Sequence, residues 1–200
     1  MNKFGTAIIL AGGKSSRMGF DKQFLQIKER RVMEIVISKL KKEFDEIIIV
    51  TNKPECYTDF DDKIVSDIIK GMGPLSGLHV GLKNSSSNYA YFIACDMPNI
   101  NIDYIRYMKK NIETNNPDAC VTKCDEWIEA FNGFYSRRIY EKIEKHLKDN
   151  NRSVNSLLRK LNTLFIEEDD ARRFSPKWDM FINLNTRDEL DKYMKGYQNI

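Results

Sequence analysis

The chain has 200 residues, enough for one domain with a sizeable core, and carries a net charge of only +3 from 32 basic and 29 acidic side chains. Both signs are scattered and no basic block stands out, which argues against nucleic acid as the main partner. No signal-peptide core or long apolar span occurs, and Cys56, Cys95, Cys120 and Cys124 have no disulfide or zinc spacing. A cytoplasmic protein without membrane contact, with reduced thiols, is expected.

Periodic segments alternate along the chain as they do in a mostly parallel sheet with crossover helices. Thr6 to Leu10 is a continuous apolar run of strand length. Val32, Met33, Val36, Ile37, Leu40 and Phe44 recur at helical spacing, and Glu46 to Thr51 is a second buried strand, completing a βαβ unit. Lys63 to Ser66 predicts a short strand, Gly71 to Gly77 a turn, and about Leu78 to Lys83 a helix. Tyr89 to Cys95 predicts a central strand that stops at Pro98. A helix over about 102–113 follows, then strands at 119–122 and 131–135, helices over about 138–148 and 154–161, and a short strand at 164–167. A last strand is expected over Met180 to Asn185, before a terminal helix from Arg187. The expectation is a single α/β domain with a Rossmann-like, mostly parallel sheet flanked by helices.

Glycines at 12, 13 and 19, with Lys14, Arg17 and Lys22 among them, follow the first strand. Bare amides and cations in one loop suit the phosphates of a nucleotide, although two glycines also make an ordinary tight turn. A Walker A loop would need glycine where Ile8 stands. A dinucleotide fingerprint fails as well, because Gly71-Met72-Gly73 runs to Ser76 where glycine is required.

Ligands of open α/β sheets gather at the carboxyl ends of the strands. Asn52, Asp67, Asp96, Asn183 and Asn185 fall there on the predicted elements. Asp96 follows an aromatic, β-branched strand, where an ionised carboxylate needs a partner; it suits a magnesium ion or a turn cap equally. Asn52 and Asp67, each taken alone, read as turn residues. His79 and His146 have no triad or metal spacing and are expected to be non-catalytic.

Leu10-Ala11-Gly12-Gly13 through Arg17-Met18-Gly19 and Asp21-Lys22, then Gly73 to Leu78, Cys95-Asp96-Met97-Pro98 and Asn183-Leu184-Asn185-Thr186, together resemble the molybdenum cofactor guanylyltransferase family over nearly the whole chain. The resemblance implies a nucleotidyltransferase of glycosyltransferase-A-like type that uses GTP and molybdopterin as substrates and Mg2+ as cofactor. It implies a nucleotide-binding half over about 1–100 and an acceptor-side half over about 101–200. Leu10, Ala11, Gly12, Gly13, Lys22, Asn52, Asp67 and Asp96 would bind nucleotide, and Arg17, Lys22 and Asp96 would be catalytic. Asp96 would be the metal ligand, and Asn183 and Asn185 would meet the acceptor. Transient contact with molybdoenzymes or cofactor-synthesis proteins is also implied. Trp127 to Gly133 departs from the family, lacking a proline that often precedes this strand. A cytidylyltransferase acting on molybdopterin, or another small-acceptor nucleotidyltransferase, and a non-catalytic GTP-binding molybdoenzyme maturation factor are the competing readings.

Overall fold

The apolar runs form strands because β-branched and aromatic side chains occupy both faces of a buried sheet. A computed structural model describes residues 2–12, 26–27, 30–184, 189 and 193, with backbone alone at 26, 27 and 30. Its elements are β1 (Thr6–Leu10), β2 (Gln26–Ile27), β3 (Arg30–Arg31), α1 (Val32–Leu40), β4 (Glu46–Val50), β5 (Lys63–Val65), α2 (Pro74–Asn84) and β6 (Tyr89–Ala94). These are followed by α3 (Ile102–Asn115), β7 (Ala119–Cys124), β8 (Trp127–Ser136), α4 (Tyr140–Lys148), α5 (Val154–Leu158), β9 (Thr163–Glu167) and α6 (Glu168–Arg172). Short 3-10 turns lie at Pro54–Tyr57, Arg137–Ile139 and Asp179–Phe181.

Seven strands make one sheet in the order β5-β4-β1-β6-β8-β7-β9. All pairings are parallel except those of β8, which runs antiparallel to both β6 and β7. The carboxyl ends of the other six strands and the start of β8 therefore share one edge. Alternation sorts the core by face. Ile9, Ile49 and Tyr91 pack with α1 and α3, whereas Ile8, Ile48 and Phe92 pack with α2, α4 and α5.

Helix α2 begins at Pro74, inside the stretch read from sequence as a turn. Gly73 caps it at φ 69°, and Pro74 supplies a first helical residue that needs no N–H partner. The glycines further in serve packing. A Cβ on Gly77 would strike the Leu10 side chain, and one on Gly81 would lie 2.6 Å from Ile8 Cγ2. Ile8 is fully buried and cannot yield. Gly81→Val is therefore expected to cost about 1–3 kcal/mol by overpacking, against a helix-propensity gain of only a few tenths. At roughly 2–4 °C per kcal/mol for a chain this long, thermal denaturation reads the loss; an unchanged Tm would show that α2 stands off from β1.

Along β8 the pairing with β7 passes from Cys120↔Phe134 to Thr122↔Glu129. One residue, Val121, thus faces the span from Ala130 to Gly133, a bulge that turns the chain at Asn132, φ 60°. The bulge is held from inside. Tyr91 donates its hydroxyl to Asn132 Oδ1, and Asn132 Nδ2 donates to the Met180 carbonyl at 3.1 Å.

Candidate active site

Three loops meet at the shared edge. As β1 ends, Ala11 N donates to Val50 O at 2.8 Å and Cys95 N to Leu10 O at 3.1 Å, tying the first turn to β4 and β6. The Leu10 side chain packs on the α2 face, Ala11 is buried, and Gly12 is exposed. Among the described residues nothing lies within 4 Å of the place a Cβ on Gly12 would take. Gly13, Lys14, Arg17 and Lys22 lie outside the described residues.

Asn52 and Asp67, 15 residues apart, form a reciprocal pair across the ends of β4 and β5. Asn52 Nδ2 donates to Asp67 Oδ2 at 2.7 Å, and Asp67 N donates to Asn52 Oδ1 at 3.3 Å. The local turn that Asn52 was expected to hold is made instead by Thr51, whose Oγ1 accepts from Lys53 N at 3.1 Å. Burial raises Asp67 above the ordinary carboxylate range, opposed by the Asn52 hydrogen bond and the Lys70 charge.

Asp96 lies two residues beyond the end of β6 and is buried. Its carbonyl accepts from Leu184 N at 2.9 Å, which draws residues 182–184 against the same edge and sets Asn183 beside it. Of the strand expected over Met180 to Asn185, the described part, 180–184, is not formed as a strand. Asp179–Phe181 is a 3-10 turn, and Ile182 to Leu184 is irregular. The reason is that β6 already has β1 and β8 as neighbours, so the segment bonds to side chains and loop carbonyls. Ser175 Oγ accepts from Met180 N at 3.2 Å, Asn99 donates to Asp179 O at 3.1 Å and Asn101 to Phe174 O at 2.8 Å. Asn185 lies outside the described residues.

Sequence reading passed over Glu129. Its carboxylate accepts from the Trp127 indole N–H at 3.1 Å and is also hydrogen bonded by Trp178; burial raises it above the ordinary carboxylate range. The alternating exposure of residues 127 to 131 was the available signal, hidden because the strand was expected to begin only at Phe131. The four cysteines are free thiols; burial pushes Cys120 up to about 12. His79 is buried between α2 and α4, 3.7 Å from Glu144 Oε2, and burial lowers it below the ordinary imidazole value of 6.5. No helix of the described residues is long and apolar enough to cross a membrane.

The edge thus combines the exposed Gly12 after β1, a polar pair at the ends of β4 and β5, and a buried carboxylate after β6, between β1 and β8. Backbone amides and one hard oxygen donor are the chemistry that phosphates and a divalent cation require. Residues 7–164 match the MobA-like NTP transferase domain. A probable molybdenum cofactor guanylyltransferase of Peptoclostridium acidaminophilum is 54% identical over 98% of this chain and 90% of its own length. The molybdenum cofactor guanylyltransferase of Syntrophotalea carbinolica is 50% identical over 96% and 92%. In fold, the chain is similar to molybdopterin-guanine dinucleotide biosynthesis protein A of Archaeoglobus fulgidus, with a TM-score of 0.85, 22% identity, and coverage of 98% of this chain and 100% of that one. By sequence and by architecture, the chain belongs to the molybdenum cofactor guanylyltransferase family of MobA-like NTP transferases.

Proposed function

We propose that this enzyme transfers GMP from GTP to the terminal phosphate of molybdopterin, giving molybdopterin guanine dinucleotide and pyrophosphate. The observation that carries the reaction type is a buried carboxylate, Asp96, one strand away from the exposed Gly12. The names borne by the relatives support the choice of substrates.

The attacking phosphate is already anionic, so no base or covalent enzyme intermediate is needed. The difficulty is alignment and charge repulsion between phosphates. In this reading the amides of Gly12 and Gly13 carry the triphosphate, while Arg17 and Lys22 offset charge gathering on the α-phosphoryl and the departing pyrophosphate. The acceptor phosphate approaches in line from the side of Asn183 and Asn185.

Asp96 fits a magnesium ion, being a hard oxygen donor at the strand end. Among the described residues no three carboxylate, histidine or cysteine side chains are placed to hold a metal ion together, and phosphate oxygens and water would supply further ligands. Such an ion, when bound, polarises phosphate oxygens as a Lewis acid. The first hundred residues would thus serve the nucleotide and the rest the acceptor, in the cytoplasm, with transient contact to molybdoenzymes or cofactor-synthesis proteins at hand-over.

Asn52 and Asp67 would face the base and ribose. Asn52→Ala is expected to weaken GTP affinity about tenfold, the scale of one or two lost hydrogen bonds, with kcat little changed. Because the Asn52 amide holds Asp67 down against burial, its removal raises Asp67 further, and the loss should deepen as pH is lowered. Titration calorimetry with GTP checks both; unchanged affinity would take the pair out of the site.

The test of the whole reading is a panel of GTP, CTP, ATP and UTP, each with molybdopterin and magnesium, read by pyrophosphate release. GTP should dominate. Faster turnover of CTP would make the enzyme a cytidylyltransferase, and tight GTP binding without pyrophosphate release would make it a maturation factor; either result overturns the proposal.

A further inference from the structure

Trp127, the first residue of β8, is 64% exposed. It is not alone at that edge. The exposed large apolar side chains among the described residues are Ile68, Trp127 and Ile182, next to Asp67, at the β7–β8 turn and next to Asn183 respectively. An exposed indole face on the functional edge offers a platform for a flat ring.

The chemistry around Trp127 narrows the ligand. Its N–H is committed to Glu129, and a carboxylate with about four lone-pair sites keeps capacity for further donors after the two indole bonds. Outward from Trp127 the wall turns acidic: Asp125, Glu126, Glu167, Glu168 and Asp169, with Lys123, line a concavity of about 460 Å3. That wall repels phosphate and welcomes N–H groups. A ligand end that fits an indole face beside carboxylates is flat and carries N–H donors, with any phosphate held away from the wall.

We propose that Trp127 and Glu129 form the acceptor-ring subsite: the bicyclic ring stacks on the Trp127 indole and its 2-amino-4-oxopyrimidine edge donates to Glu129. The assignment rests on the reading of the enzyme as one that uses molybdopterin. It gives a role to the stretch that departs from the family pattern. Guanine carries the same donor edge, so the decisive measurement separates the two substrates.

The experiment compares the purified wild type with Trp127→Ala, Trp127→Phe and Glu129→Gln, measuring KM for molybdopterin and for GTP by pyrophosphate release. Trp127→Ala should raise the molybdopterin KM roughly five- to hundredfold, the range for losing one stacked base. Trp127→Phe should restore most of it, Glu129→Gln should raise it about tenfold, the scale of one lost charge-assisted hydrogen bond, and the GTP KM should stay put in all three. Thermal denaturation verifies that each variant is folded. The chain has two tryptophans, so in Trp178→Phe the remaining emission reports Trp127 and should be quenched by molybdopterin but not by GTP, without any turnover. An unmoved molybdopterin KM in both Trp127→Ala and Glu129→Gln, or an equal rise in the GTP KM, overturns the subsite while leaving guanylyl transfer standing. A wild type that releases no pyrophosphate from GTP with molybdopterin overturns both.

Discussion

Asp96→Ala is expected to lower pyrophosphate release from GTP and molybdopterin by about a thousandfold or more, with GTP binding in the absence of magnesium nearly intact. The magnitude follows from the role. A divalent cation against transferring phosphates is worth several kcal/mol, and each 1.4 kcal/mol is a factor of ten. Asp96 is buried two residues beyond the end of β6, at the edge where the loops that follow β1, β4 and β5 also lie. Asp96→Asn separates charge from shape: it keeps the size and the backbone bond to Leu184 but should lose nearly as much activity. Near-normal turnover of either purified variant would remove Asp96 from the chemistry. A variant inactive because residues 182–184 had come loose would instead show a lowered Tm in Asp96→Asn as well.

Lys22→Ala should come next, with a loss of roughly a hundred- to a thousandfold in kcat, the range found for removing one preorganised group that meets charge developing in the transition state. The effect should fall on kcat more than on the GTP KM, since pyrophosphate gains charge only as it leaves. Lys22→Arg keeps the charge but changes a compact ammonium for a planar fork, and should recover only part of the rate. An equal rise in KM with kcat preserved would mean that Lys22 only binds the nucleotide.

The strands at 6–10, 46–50 and 89–94 were legible in the sequence because each is buried on both faces, and a continuous apolar run has little else to be. Their ends, with that of the short strand at 63–65, then located Asn52, Asp67 and Asp96 at one edge. What the sequence could not show was pairing at a distance. Asn52 and Asp67 each suggested a local turn, and only parallel pairing of β4 with β5 brings them within 2.7 Å. The start of α2 was hidden by its glycines, whose low helix propensity is outweighed by close approach to Ile8 and Leu10. Residues 180–185 have the composition of a strand, yet the sheet has no vacancy beside β6 for them.

The bulge in β8 divides that strand into two mechanical parts. At Asn132 it is locked to β6 through Tyr91 and to the chain at Met180; beyond it, the outer part pairs only with β7, and Trp127 is exposed. Length or side-chain changes in the outer part are absorbed at the pin before they disturb the central strands. Such a break leaves the β7–β8 hairpin free to vary in sequence while β1, β4 and β6, which position Gly12, Asn52 and Asp96, keep their packing.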